Sequence, residues 1–140
     1  MKSQKPDYEL IDHTADIGVR VKGRNFREAL EKVVLAFYDL LTPLEGVEEK
    51  EKIEFQVEDD IREEVVHSVL SELLFRFDTH GFVGKKCRIR KEGDTWKISL
   101  SGERFDPERH SPGFDIKAVT YHMLEVRENG GCEISVIFDI

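Results

Sequence analysis

Two stretches at opposite ends of the 140-residue chain hold residues suited to binding a metal ion. Near the start, Asp12, His13, Thr14, Ala15 and Asp16 lead into Ile17-Gly18-Val19, and the last three residues are Phe138, Asp139 and Ile140. Side chains alternate faces along a strand, so if Ile17, Val19 and Val21 face a core, Asp16 projects to the other side, where Gly18 is expected to leave open space. The same rule turns Phe138 and Ile140 inward and Asp139 outward, and a buried Ile140 side chain would hold the terminal carboxylate still. If the two strands are antiparallel neighbours, Asp16, Asp139 and that carboxylate share one small volume. Like charges about 4 Å apart repel by roughly 1 kcal/mol in water, and by about 4 kcal/mol at an effective dielectric near 20. Such a cluster calls for a compensating cation or for raised carboxyl pKa values. Oxygen-only donors select a hard ion, Ca²⁺ or Mg²⁺, over Zn²⁺. Asp12 is a candidate further carboxylate, or caps the turn through Thr14; His13 is a candidate ligand, or a packing histidine. The plainer alternative, that Asp and Thr here only form a turn before a strand, stays open at this level.

The elements that must position these groups follow from hydrophobic periodicity. Alternation predicts a strand over 17–22, which Gly23 ends and after which Asn25 can cap a helix. That helix is expected over 26–41, with Phe26, Ala29, Leu30, Val33, Phe37, Leu40 and Leu41 as its apolar stripe. Ile53, Phe55 and Val57 mark a second strand. Asp59 or Asp60 is expected to cap a second helix over about 61–79, with Val65, Val66, Val69, Leu70, Leu73, Leu74 and Phe77 inward and Gly81 as its stop. A hairpin turning at 92–94 follows, with Trp96, Ile98 and Leu100 alternating toward the core. Residues 101–113 read as an irregular connector with no assigned site. Residues 114–126 read as a strand on β propensity, with a short helix as the alternative. In it, His122 is expected to pack on the sheet, and Lys117 to be solvated, to pair with an acidic residue or to face a partner. A turn at 128–131 and a last strand from Cys132 to Ile140 complete an α+β domain: two helices on a largely antiparallel or mixed sheet, one compact domain over 1–140.

Composition narrows the function classes. The net charge of −8 argues against sequence-independent binding of nucleic acid, which depends on phosphate neutralisation by Lys and Arg. No apolar run reaches the roughly 20 residues that span a membrane. The N-terminus is basic but lacks the apolar segment of a secretory signal, so a cytoplasmic protein is expected. Cys87 and Cys132 lack metal-site or redox spacing and read as small buried hydrophobes rather than a disulfide. There is no nucleophile signature, phosphate-binding glycine loop or dinucleotide fingerprint.

The residues 12–19 (DHTADIGV), the string KAVTYH at 117–122 and the terminal FDI together resemble the archease family, small proteins that accompany the GTP-dependent tRNA-splicing RNA ligase of the RtcB type. The resemblance implies a non-enzymatic activator that promotes guanylylation and multiple turnover of that ligase in tRNA splicing. It also implies a calcium site built from Asp16, Asp139 and Ile140, to which the residue reading adds Asp12 and His13 as further candidates; the net charge leads to the expectation of no direct contact with nucleic acid. Two readings compete with it. One is a metal-dependent phosphoester hydrolase using Asp12, Asp16, Asp139 and His13 to activate water. The other is a general chaperone in which the acidic cluster is only structural.

Overall fold

The computed structural model describes residues 6–12 and 15–140, with the backbone alone at Asp12. Strand β1 (Glu9–Asp12) precedes β2 (Asp16–Gly23), and helix α1 (Phe26–Leu41) leads through a short 3₁₀ turn at Leu44–Gly46 to β3 (Glu51–Glu58). Helix α2 (Arg62–His80) is followed by the hairpin β4 (Phe82–Glu92) and β5 (Thr95–Arg104), then by β6 (Ala118–Val119), β7 (Glu125–Glu128) and β8 (Cys132–Asp139). The α+β class and antiparallel pairing agree with the sequence pattern. The strands divide into two sheets rather than one: β1-β2-β8 with β6 and β7 sharing the far edge of β8, and β3-β5-β4. Every pairing among the described residues is antiparallel.

Helix α1 begins as its sequence dictates. The Asn25 side chain accepts a hydrogen bond from the Glu28 N–H at 2.9 Å and so satisfies a donor that the helix cannot. Its buried surface is wider than the expected stripe, because Val34, Ala36 and Tyr38 are also sealed. The helix lies between the sheets, against β2 and β8 on one side and β4 on the other, so an extra face is covered. Helix α2 differs at its start: Ile61 is the cap residue, and Asp59 instead accepts from the Ile61 N–H in the turn before it. Gly81 ends α2 at φ 72°, a left-handed conformation that costs glycine little.

The core joins Ile17, Val19 and Val21 of β2 to Ile134, Val136 and Phe138 of β8, and both sets to the inner faces of the helices. Trp96, Ile98 and Leu100 of β5 are buried as their alternation requires. Both cysteines are free thiols; Cys132 is buried and Cys87 half-buried.

The segment 114–126 departs from its strand reading. Only Ala118–Val119 and Glu125–Glu128 pair with β8, and residues 120–124 leave the sheet between them. The departure is fixed locally. The Thr120 N–H and hydroxyl both donate to the Ile137 carbonyl, and the Leu124 N–H closes a turn onto Tyr121. Met123 sits at φ 55°, and the Tyr121 ring stacks on His67 of α2 at 3.9 Å instead of lying on the sheet. His122 is exposed in this loop, so its expected sheet-packing role does not hold.

Candidate functional site

Strand β2 enters the sheet beside the point where β8 leaves it. Their register pairs Asp16 directly with Asp139 and Ile17 with Phe138. Residues directly opposite in an antiparallel pair carry their side chains on the same face, with Cβ atoms about 4.5–5.5 Å apart. Ile17 and Phe138 are sealed into the core, so alternation sends both aspartates to the opposite face. The sequence argument placed these two carboxylates together, and the register does so.

The backbone around the pair is held from both sides. The Ile140 N–H reaches the Ala15 carbonyl at 3.4 Å, and the Lys117 N–H donates to the Asp139 carbonyl at 2.8 Å. Ala118 of β6 then pairs with Asp139, so this residue lies between β2 and β6. The KAVTYH string thus contributes backbone to the site's frame, a role that side-chain chemistry did not suggest. Ile140 packs its side chain against the core while its neighbour Asp139 is exposed.

Gly18 does not leave open space. A Cβ there would meet the Ile137 δ-methyl at 2.5 Å and the Val136 carbonyl at 2.8 Å. The missing side chain lets β8 close over β2, which brings Asp16 and Asp139 into register rather than making room for a ligand. Asp12 ends β1 opposite Ile17, and its side chain and all of His13 lie outside the described residues.

Among the described residues no Lys, Arg or His forms an ion pair with Asp16 or Asp139; Arg20, four residues further along β2, is engaged by Glu9 at 3.2 Å and Glu133 at 3.6 Å. Among the described residues, too, no three His, Cys, Asp or Glu side chains converge closely enough to hold a metal. Two aspartates opposite one another, with no ion pair to either among the described residues, are a fit, though an incomplete one, for a hard divalent ion. Further oxygen ligands would come from the Ile140 carboxylate, from Asp12, or from water.

A second carboxylate centre, which the sequence did not reveal, lies at the end of β5. Glu103 is buried and accepts from the Glu48 N–H at 2.6 Å and from the ring Nε2 of buried His110 at 3.0 Å, and it is also held by the Arg109 guanidinium. His110 Nδ1 accepts from the Asp106 N–H at 2.8 Å, so the neutral ring carries its proton on Nε2, facing Glu103. Burial alone would push the Glu103 carboxyl up; the hydrogen bonds from Glu48, His110 and Arg109 win and hold it at about 2. Both carboxylate oxygens have donors, and Lys50 adds an ion pair at 3.6 Å, so this centre fastens the 105–110 connector to the body of the fold. Charge density between Arg104 and His110 was the only sequence hint of it.

Fold and site together define a small α+β domain whose first long strand and last strand present a carboxylate pair at a common sheet end. The Archease protein family (MTH1598/TM1083) matches residues 8–140, and the chain belongs to that family. Protein archease of Pyrococcus furiosus is 37% identical over 123 residues, covering 85% of this chain and 87% of its own. The Methanopyrus kandleri protein of the same name is 33% identical over 138 residues, covering 95% and 99%. Among solved structures, protein 1598 of Methanobacterium thermoautotrophicum superposes with a TM-score of 0.78 at 30% identity, over 95% of this chain and 98% of its own. The Thermotoga maritima crystal structure, described as an archease and possible chaperone, gives a TM-score of 0.68 at 24% identity over 94% and 96%, a likeness of fold.

Proposed function

We propose that this protein is a non-catalytic activator of a GTP-dependent tRNA-splicing RNA ligase, acting through a divalent ion, calcium or another hard cation, held by Asp16, Asp139 and the Ile140 carboxylate. Asp12 and His13 are further candidate ligands. One observation carries the reading: the β2–β8 register sets Asp16 opposite Asp139 with no cation of the described residues paired to either. Membership in the archease family supports it, as does the chaperone description of the Thermotoga relative.

A bound divalent ion would supply positive charge at a point where the ligase handles nucleotide phosphates. The chain's own part is to hold two carboxylates at a fixed separation on a sheet end pinned by Lys117 and Ala15. Carboxylates carried on paired strands move less than carboxylates on loops, and such rigidity is what a metal site presented to a partner needs. The acidic surface also favours encounter with a basic RNA-binding enzyme.

The experiment is ligase guanylylation and multiple-turnover ligation with and without the protein, at limiting metal and nucleotide. Stimulation by wild type and its loss in Asp16→Ala and Asp139→Ala is the expected result. Full stimulation by both variants contradicts the reading, as does turnover of phosphoesters by the purified protein alone.

A further inference from the structure

The charge of −8 is not spread evenly over the molecule. Strand β4 has the sequence FVGKKCRIRKE, five cations to one acid, in a chain where acids outnumber bases by 29 to 21. Its register with β5 and β3 builds a face opposite the core-facing side of Trp96, Ile98 and Leu100. Across that face Lys52, Ser101 and Lys86 form one row; Glu54, Ser99 and Arg88 the next; Gln56, Lys97 and Arg90 the third. Glu58, Thr95 and Glu92 close it at one end. The central strand contributes short hydroxyl side chains between flanking cations, and a shallow groove runs over the cations Lys52, Lys86, Arg88 and Arg90, with the acids Glu49 and Glu54 and some apolar side chains also in its lining.

Two carboxylates of the chain already behave as anions captured by this face. Glu49, in the segment before β3, accepts from the Ser101 hydroxyl at 2.7 Å and pairs with Lys86 at 3.3 Å. These contacts hold its carboxyl below the usual range, the Ser101 hydrogen bond foremost. Glu92 pairs with Lys97 at 2.9 Å and is lowered in the same way by that contact. Among the described residues Lys52 and Arg88 pair with no carboxylate.

We infer that the outer face of the β3-β5-β4 sheet binds the phosphodiester backbone of a single-stranded nucleic acid, with Lys52, Lys86, Arg88, Arg90 and Lys97 on the phosphates and Glu49 as the group displaced. The choice of polyanion rests on what the face lacks. Its outward side chains are all charged or polar, with Lys, Glu and Ser prominent, the residue types depleted from protein–protein interfaces. No outward aromatic offers a base platform, so recognition is of backbone and not of sequence. Charge elsewhere on the molecule, beyond a Debye length of about 8 Å at physiological salt, does little to oppose contact here.

Fluorescence anisotropy with a short oligouridylate tests the assignment, and independently of the ligase reading. Binding is expected at low salt, with log K falling against log salt at a slope of about −2 to −3.5, for three to five phosphate contacts. The exposed double substitution Arg88→Glu, Arg90→Glu should reduce the steepness by at least about 1.4, the loss of two contacts, while leaving the thermal transition and stimulation of ligase guanylylation in place. Glu49→Gln should tighten binding, by up to about fivefold, the worth of one exposed ion pair. Absence of binding at low salt, a slope near zero, or indifference to the Arg88 and Arg90 substitutions overturns the inference. So does poly-glutamate binding as tightly as the oligonucleotide, which assigns the face to an acidic protein partner.

Discussion

Glu103 and the Asp16–Asp139 pair are both acidic centres at strand ends, and they are built in opposite ways. Glu103 is buried and surrounded by donors: a backbone N–H, an imidazole and a guanidinium. Asp16 and Asp139 face one another across a ladder rung with no cation among the described residues. A fold that surrounds one carboxylate with donors and leaves two others side by side, with no ion pair among the described residues, has used the first for stability. The second arrangement is one that something outside the chain can complete, and that contrast, more than charge count, separates a structural acid from a binding one.

The largest effect expected from breaking the contrast is at Glu103. Glu103→Ala strands Arg109, His110 and the Glu48 N–H together, and should cost about 3 kcal/mol, seen as a fall in melting temperature of roughly 10 °C. Ligase stimulation by the remaining folded protein should be unchanged. Gly18→Ala should come next, at about 1–3 kcal/mol, because the Val136 carbonyl cannot move away from a Cβ at 2.8 Å without shifting β8. Unlike Glu103→Ala, it should also impair activation, since the same shift disturbs the Asp16–Asp139 register; chemical denaturation and the ligation assay separate the two.

The pH dependence of stability sharpens the contrast further. The Glu103 carboxyl is depressed in the folded state to about 2 from an ordinary 4.5. Its contribution is therefore complete above about pH 4.5 and is lost as pH falls through about 2, because the unfolded chain takes up the proton first. Wild type should lose stability across that window, and Glu103→Gln should show a flatter profile there by thermal melts. The smallest effect is expected at the unsatisfied pair. Asp139→Asn should stabilise the metal-free protein, by up to about 1 kcal/mol, by removing a like-charge contact, while abolishing activation.

The carboxylate pair was legible in the sequence because alternation is strict. Once Ile17 and Phe138 face the core, Asp16 and Asp139 must share the other side, and only the adjacency of their strands was needed. Both helices were legible for the same reason, each with a clean apolar period and a clear stop. Strand pairing was not, since periodicity assigns a residue to a face but not a strand to a neighbour; hence two sheets rather than one, and a four-residue β1 that no alternation marks. The 114–126 stretch has strand-forming residues throughout, yet Tyr121 finds a better partner in the His67 ring than a place on the sheet edge. Glu103 sits on the outward parity of β5 and reads as solvent-exposed; only the connector folding back over it, with His110, makes it buried. The basic face escaped notice because the excess of acids over the whole chain hides a local excess of bases on β4.

The central claim, that Asp16 and Asp139 are completed by a divalent ion, is tested most directly by calcium titration followed by thermal unfolding. A ligand that binds only the folded state stabilises it by about 2.7 kcal/mol at a hundredfold excess over its dissociation constant. Wild type should gain melting temperature with added calcium, and Asp139→Asn should start slightly higher and gain nothing. A wild-type transition that does not move with calcium or magnesium, or an Asp139→Asn transition that rises in parallel with it, contradicts the claim.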